Sequence, residues 1–131
     1  MFSPPTTIAR RVLIIDDNAD AAQLLAMFVA AYGHEAQVAN DGPTGLRLAE
    51  AFCPEIVFLD LGMPGMSGYE VAAAMRSLPE VRGAYITALT GWNDLKTRLR
   101  VVETGFDHHL TKPADLQAVL SLIAGRDLTA A

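Results

Sequence analysis

Cysteine is nearly missing from this chain. Cys53 is the only one among 131 residues, so no internal disulfide can form, which agrees with a reducing compartment. It lies in an apolar stretch and reads as a small core residue, not a nucleophile. Basic residues are also few: ten Lys and Arg stand against fifteen Asp and Glu, for a net charge of −5. That balance gives no electrostatic case for direct binding of nucleic acid or of a membrane surface. No apolar run approaches the roughly 20 residues that span a bilayer. Met1 to Thr7 lacks the apolar core of a signal peptide, so the cytoplasm is the expected location. Repeats, linkers and a second domain are missing too. What is plentiful is apolar side chain, 51% of the residues, enough for one domain with a real core.

That apolar content is distributed as five alternating units. Residues 1–9 read as a flexible leader, 10–125 as the domain and 126–131 as a tail. Val12-Leu13-Ile14-Ile15 forms a first buried strand ending in Asp16-Asp17, with Asn18 as the cap of a helix. Leu24, Leu25, Phe28, Val29 and Tyr32 recur at helical spacing, and Gly33 stops that helix. Glu35 to Ala39 is a weaker strand. Pro43 opens a second helix with Leu46, Ala49 and Phe52 inward. Ile56-Val57-Phe58-Leu59-Asp60 is the central strand, a continuous apolar run suited to burial on both faces. After a glycine-rich loop, Ser67 and Glu70 form a capping box for a third helix with Val71, Met75 and Leu78 inward. Ala84 to Leu89 is a fourth strand ending at Thr90-Gly91. Leu95, Leu99 and Val102 mark a fourth helix, with Gly105 beyond its end. Phe106 to Leu110 is a short fifth strand running into Thr111-Lys112-Pro113. Leu116, Val119, Leu120 and Ile123 mark the last helix, and Gly125 follows it.

Regular strand–helix alternation implies a parallel sheet with helices on both faces. For five strands the expected arrangement is a flavodoxin-like (βα)5 three-layer sandwich with strand order 2-1-3-4-5. Ligands bind such sheets at the carboxyl ends of the strands. Those ends carry Asp16-Asp17, Asp60, Thr90 and Lys112. Three carboxylates this close repel one another, and a hard divalent cation relieves the repulsion. Few carboxylates, a carbonyl and waters are how Mg²⁺ is held, whereas no Cys or His at this edge has zinc-ligand spacing. Lys112 adds a point charge suited to a phosphoryl oxygen. Metal, lysine and hydroxyl around a carboxylate suit phosphoryl transfer to that carboxylate, by positioning and charge neutralisation.

Ile14-Ile15-Asp16-Asp17-Asn18, Asp60 to Gly68, Ala88-Leu89-Thr90-Gly91 and Leu110-Thr111-Lys112-Pro113, in this order and spacing, resemble the receiver domain of two-component response regulators. The resemblance covers about Arg11 to Ala124. It implies that Asp60 accepts a phosphoryl group from a phosphohistidine of a sensor histidine kinase or histidine phosphotransfer protein. It further implies Asp17 and Asp60 as Mg²⁺ ligands with the Gly62 carbonyl, and Asp16 acting directly or through water. Thr90 would move to bond one phosphoryl oxygen and Lys112 would pair with another. The Lys112–Pro113 bond is expected to be cis. The fourth helix, fifth strand and fifth helix would then change as a surface, for a downstream protein or a second copy.

Two positions depart from the family's commonest pattern. His109 stands three residues before the lysine, where an aromatic is usual; its imidazole could swing in behind Thr90 and add pH sensitivity, or remain solvated. Trp92 could cover the phosphoryl site, or anchor the fourth helix. His108-His109 is not expected to bind metal, since adjacent strand residues face opposite sides. The run from Gly105 to Leu110 resembles receivers attached to hybrid sensor kinases, which leaves open a phosphate relay or sink. An aspartyl-phosphate phosphatase would want an acid where Gly62 stands. A flavin carrier would find its phosphate repelled by Asp16-Asp17. A pseudo-receiver would lack site residues, and none is missing.

Overall fold

The computed structural model describes residues 9–92 and 94–129. Five strands alternate with five helices: β1 (Arg11–Ile15), α1 (Ala19–Ala31), β2 (Glu35–Ala39), α2 (Gly42–Phe52), β3 (Ile56–Asp60), α3 (Gly68–Arg76), β4 (Tyr85–Thr90), α4 (Leu95–Glu103), β5 (His108–Thr111) and α5 (Leu116–Thr129). The strands form one sheet in the order β2-β1-β3-β4-β5, and every pairing is parallel. The expected topology is therefore the observed one. Parallel order brings all five strand ends to a single edge, which is what gathers distant acidic and basic residues.

Strand alternation divides the core into two layers. Leu13, Ile15, Val57, Leu59, Ile86 and Ala88 face one way, toward Ala49 of α2 and Val71, Ala72 and Met75 of α3. Val12, Ile14, Ile56 and Phe58 face the other way, toward Ala22, Leu25, Ala26 and Val29 of α1 and Val119 and Ile123 of α5. β3 is buried at every position, as its unbroken apolar run requires.

Side-chain caps fix where four helices start. Asn18 Oδ1 accepts from the Ala21 N–H at 3.1 Å, Asp41 Oδ1 from Thr44 at 2.8 Å, and Asp94 Oδ1 from Thr97 at 2.7 Å. The Ser67–Glu70 capping box forms in full. Each cap satisfies a backbone donor that the first helical turn leaves open.

The helices add two facts that apolar spacing alone does not give, and correct one expected boundary. On α1 the face against the sheet is Ala22, Leu25, Ala26 and Val29, while Leu24 and Tyr32 are exposed. Leu25 and Val29 share that face with two alanines. On α4 the stripe Leu95, Leu99 and Val102 is 62%, 55% and 72% exposed, and the buried residue is Val101 at 2%. The inward face of α4 is Thr97, Val101 and Thr104, with both threonines half-buried. It has the same helical spacing as the leucine stripe but is narrow and partly polar. Finally, Gly125 does not end α5, which continues to Thr129. The leader expected over residues 1–9 lies, up to residue 8, outside the described residues, as do residues 130 and 131 of the tail.

The two layers predict an unequal response to truncation. Phe58→Ala removes a fully buried ring and should cost about 3–5 kcal/mol. Leu99→Ala, on the exposed stripe, should cost less than about 0.5 kcal/mol. Urea unfolding of the two variants measures both.

Candidate functional site at the carboxyl edge

Backbone hydrogen bonds join the strand ends before any side chain is considered. Asp16 N–H donates to the Ala39 carbonyl at 3.0 Å, Leu61 N–H to Leu89 at 3.0 Å, and Lys112 N–H to Thr90 at 2.7 Å. Asp16, Asp60, Thr90 and Lys112 are thus held at fixed separations by the sheet itself.

On this frame one carboxylate oxygen each from Asp16, Asp17 and Asp60 comes within 4.8 Å of the others. Asp16 and Asp60 are buried, and Asp17 is exposed. Lys112 Nζ bridges the two buried acids, 3.2 Å from Asp16 Oδ2 and 3.1 Å from Asp60 Oδ1. The Lys112–Pro113 peptide is cis. Asp16 Oδ1 also accepts from the Asn18 N–H at 3.0 Å, and Asp60 Oδ1 from the Gly62 N–H at 3.1 Å.

These surroundings separate the acids. Burial pushes the Asp16 carboxyl above the usual aspartate value, and the neighbouring Asp60 charge adds to that. Asp17 is pushed up chiefly by its hydrogen bond to Asp60, with burial and the two nearby acids adding. Asp60 is also penalised by burial, but Asp17, the Gly62 N–H and Lys112 outweigh that and hold it below the usual value. Burial works against the Lys112 ammonium too, and its bonds to Asp60 and Asp16 more than compensate, so its pKa is raised. These surroundings favour the charged form of Asp60 and disfavour it at Asp16 and Asp17.

Thr90 is buried at the end of β4, and its hydroxyl oxygen accepts from the Trp92 N–H at 3.0 Å. A pocket of about 240 Å³ opens here, lined by Asp60, Gly62, Tyr69, Thr90, Trp92 and Lys112 among others. Trp92 is 72% exposed, so it stands at the mouth of this pocket and is not a core anchor. His109 is half-buried; burial, then His108 and Arg98, lowers its pKa. Its Cα pairs with Ala88, two residues short of Thr90. Among the described residues the group able to hold a metal is the aspartate cluster, and His108 takes no part in it.

Three contributors were not singled out from sequence. Asn40 Nδ2 donates to the Asp16 carbonyl at 2.8 Å and pins the acidic pair from the β2–α2 loop. Gly68 is packed so closely that a Cβ there would run into the Asp60 carbonyl oxygen and lie 2.8 Å from Leu61 Cα. Tyr69 lines the pocket wall. The hydrogen bond and the close approach depend on loop geometry that spacing alone does not carry.

The family model for the response regulator receiver domain matches residues 12–124. The chain belongs to that family. The receiver is 33% identical over 108 residues to the response regulator PleD of Caulobacter vibrioides, covering 82% of this chain and 24% of that protein. It is 33% identical over 116 residues to the CAI-1 autoinducer sensor kinase/phosphatase CqsS of Vibrio cholerae, covering 88% of this chain and 17% of that protein. The receiver thus spans about a quarter or less of these two relatives. Among solved structures, a CheY-like receiver domain protein from Methanospirillum hungatei superposes with a TM-score of 0.82 at 23% identity, over 90% of this chain and 93% of that one. A response regulator from Burkholderia pseudomallei with a phosphorylated aspartic acid, a calcium ion and citrate superposes with a TM-score of 0.80 at 29% identity, over 92% and 72% of the two chains. The receiver is accordingly a two-component signalling domain.

Gly68→Ala tests the packing beneath Asp60. The atoms its methyl meets are backbone, which cannot swing aside, so destabilisation of about 1–3 kcal/mol is expected. Gly83→Ala, where a Cβ meets nothing within 4 Å, should be near neutral in the same urea titration.

Proposed function

We propose that this receiver accepts a phosphoryl group on Asp60 from a phosphohistidine of a sensor histidine kinase or histidine phosphotransfer protein, in a Mg²⁺-dependent transfer. The observation that carries the proposal is the convergence of Asp16, Asp17 and Asp60 within 4.8 Å beside Lys112. Hard oxygen donors in a half-open cluster fit Mg²⁺. Asp17, Asp60 and the Gly62 carbonyl would hold the ion, with Asp16 binding directly or through water. When bound it supplies positive charge against the transferring group. Asp60 attacks phosphorus as a carboxylate, forming the P–O bond as the P–N bond breaks, and the electron pair leaves with the imidazole. Lys112 and the Thr90 hydroxyl then bond the new phosphoryl oxygens. The phosphorylated aspartate and calcium ion of the Burkholderia relative support this assignment.

Apolar surface also borders the site and would suit a protein donor. An apolar groove of about 730 Å³, lined by Leu24, Leu25, Phe28, Pro113 and Leu116, borders Asp16 and Lys112. On the far side, inward movement of Thr90, with His109 following, would rearrange the surface of α4, β5 and α5. That surface would then meet a downstream protein or a second copy, not nucleic acid directly. Residues 10–125 form the domain in this reading, and the cytoplasm is its setting; among the described residues no helix is long and apolar enough to cross a membrane. The likeness to CqsS favours a second reading, a phosphate relay or sink from a hybrid kinase. In that case Asp60 is phosphorylated but the α4–β5–α5 surface stays unchanged.

Incubation with acetyl phosphate and Mg²⁺ should add one phosphoryl mass, and Asp60→Asn should abolish it. Persistent stoichiometric labelling of that variant would reject the assignment. Mg²⁺ alone should change Trp92 fluorescence, and Asp17→Ala should remove the change. Asp16 and Asp17 have raised pKa values, so as pH falls they take up protons earlier than ordinary aspartates and cease to ligate. Metal affinity should therefore be full at neutral pH and decline at a pH above the usual aspartate range. A fluorescence titration at stepped pH checks the sign.

A further inference from the structure

α4 is joined unequally at its two ends. Beyond its C-terminal end, Arg76 of α3 donates from Nε and Nη2 to the Gly105 carbonyl at 2.9 and 2.6 Å. The same guanidinium pairs with Asp107 at 2.8 Å. Along the helix, Val101 is the buried residue, and the larger apolar side chains face solvent. A contact back to α3 comes from Arg100, whose guanidinium carbon lies 3.9 Å from the centroid of the Tyr69 ring. That ring is braced edge-on against buried Phe106, with centroids 6.2 Å apart. Tyr69 also lines the pocket over Asp60. One aromatic ring thus forms a wall of the acidic pocket and the seat of α4.

We propose that Arg100 and Tyr69 form a latch that seats α4 in the resting protein and links its position to what occupies the pocket. The guanidinium is drawn to the negative face of the ring, and its planar shape stacks where a lysine would not. Phe106 prevents the ring from following α4. The Trp92 N–H is bonded to the Thr90 hydroxyl, so inward movement of Thr90 pulls the loop that leads into α4. Arg100 lies in the last turn of α4, close to the segment that Arg76 holds at Gly105, so α4 turns about that segment and draws the guanidinium off the Tyr69 ring. Occupancy opens the latch and, by linkage, an open latch favours occupancy. This second half rests on the proposed phosphorylation of Asp60; the resting latch does not.

Amide exchange of the full chain without metal or phosphodonor tests the latch. Arg100→Ala and Tyr69→Leu should each speed exchange over residues 95–103 by about two- to fivefold, the range of an exposed cation–π contact. Residues 68–76 should be unaffected. The double variant should exchange no faster than the faster single one, because both remove one interaction. Tyr69→Phe keeps the ring face and should behave as the parent. Unchanged exchange in Arg100→Ala, or fully additive effects, overturns the latch. For the linkage the probe is beryllofluoride with Mg²⁺. Arg100→Ala should bind it about two- to fivefold more tightly, and equal or weaker binding overturns the coupling. If the probe fails to bind the parent, the phosphorylation reading falls and the coupling with it, while exchange still decides the latch.

Discussion

Three carboxylates and one ammonium share a volume that cannot hold them comfortably at neutral pH. Lys112 contacts Asp16 and Asp60 at once and offsets part of the repulsion among the acids. Asp17, exposed beside the two buried acids, has its pKa raised by Asp60 first, then by burial and Asp16. This arrangement is under electrostatic tension, and a divalent cation or a bound phosphoryl group redistributes it. The sheet order, the loop glycines and the strand-end hydrogen bonds matter because they keep the acids from moving apart. Sites of this kind hold charges that a stability-optimised fold would separate.

The supporting structure is correspondingly stiff on one side and loose on the other. Asp60 ends a strand buried at every position, and Gly68 lets α3 start directly beneath its carbonyl. Asn40 and Asn18 fix the backbone and one oxygen of Asp16. Across the pocket, Thr90 leads into a loop and a helix with one buried residue, Val101. Rigid acceptor and yielding neighbour are what a two-state element needs if occupancy is to shift its balance by a few kcal/mol.

Much of this was legible in the sequence because it depends on patterns with a fixed period. Continuous apolar runs gave the strands, their alternation with helices gave parallel topology, and topology placed Asp16, Asp17, Asp60, Thr90 and Lys112 together. Caps at Asn18 and Ser67 were readable from residue type. The helix faces were less so. Leu95, Leu99 and Val102 have the spacing of a core stripe but lie outside, since spacing shows that a face is apolar and not what covers it. On α1 two alanines, poor in hydrophobic signal, are buried beside Leu25 and Val29. Asn40 and Tyr69 act through distances set by loops and by neighbouring helices, which no local pattern encodes. The exposure of the α4 stripe is therefore something that only the packing reveals.

Asp60, and no other acid of the cluster, is the proposed site of the acyl phosphate. Borohydride reduces an aspartyl phosphate to homoserine, so reduction after acetyl phosphate treatment with Mg²⁺, followed by peptide mass mapping, marks the acceptor directly. Homoserine is expected at position 60, with intact aspartate at positions 16 and 17. Homoserine at either of those positions, or none in the peptide that contains Asp60, would contradict that assignment.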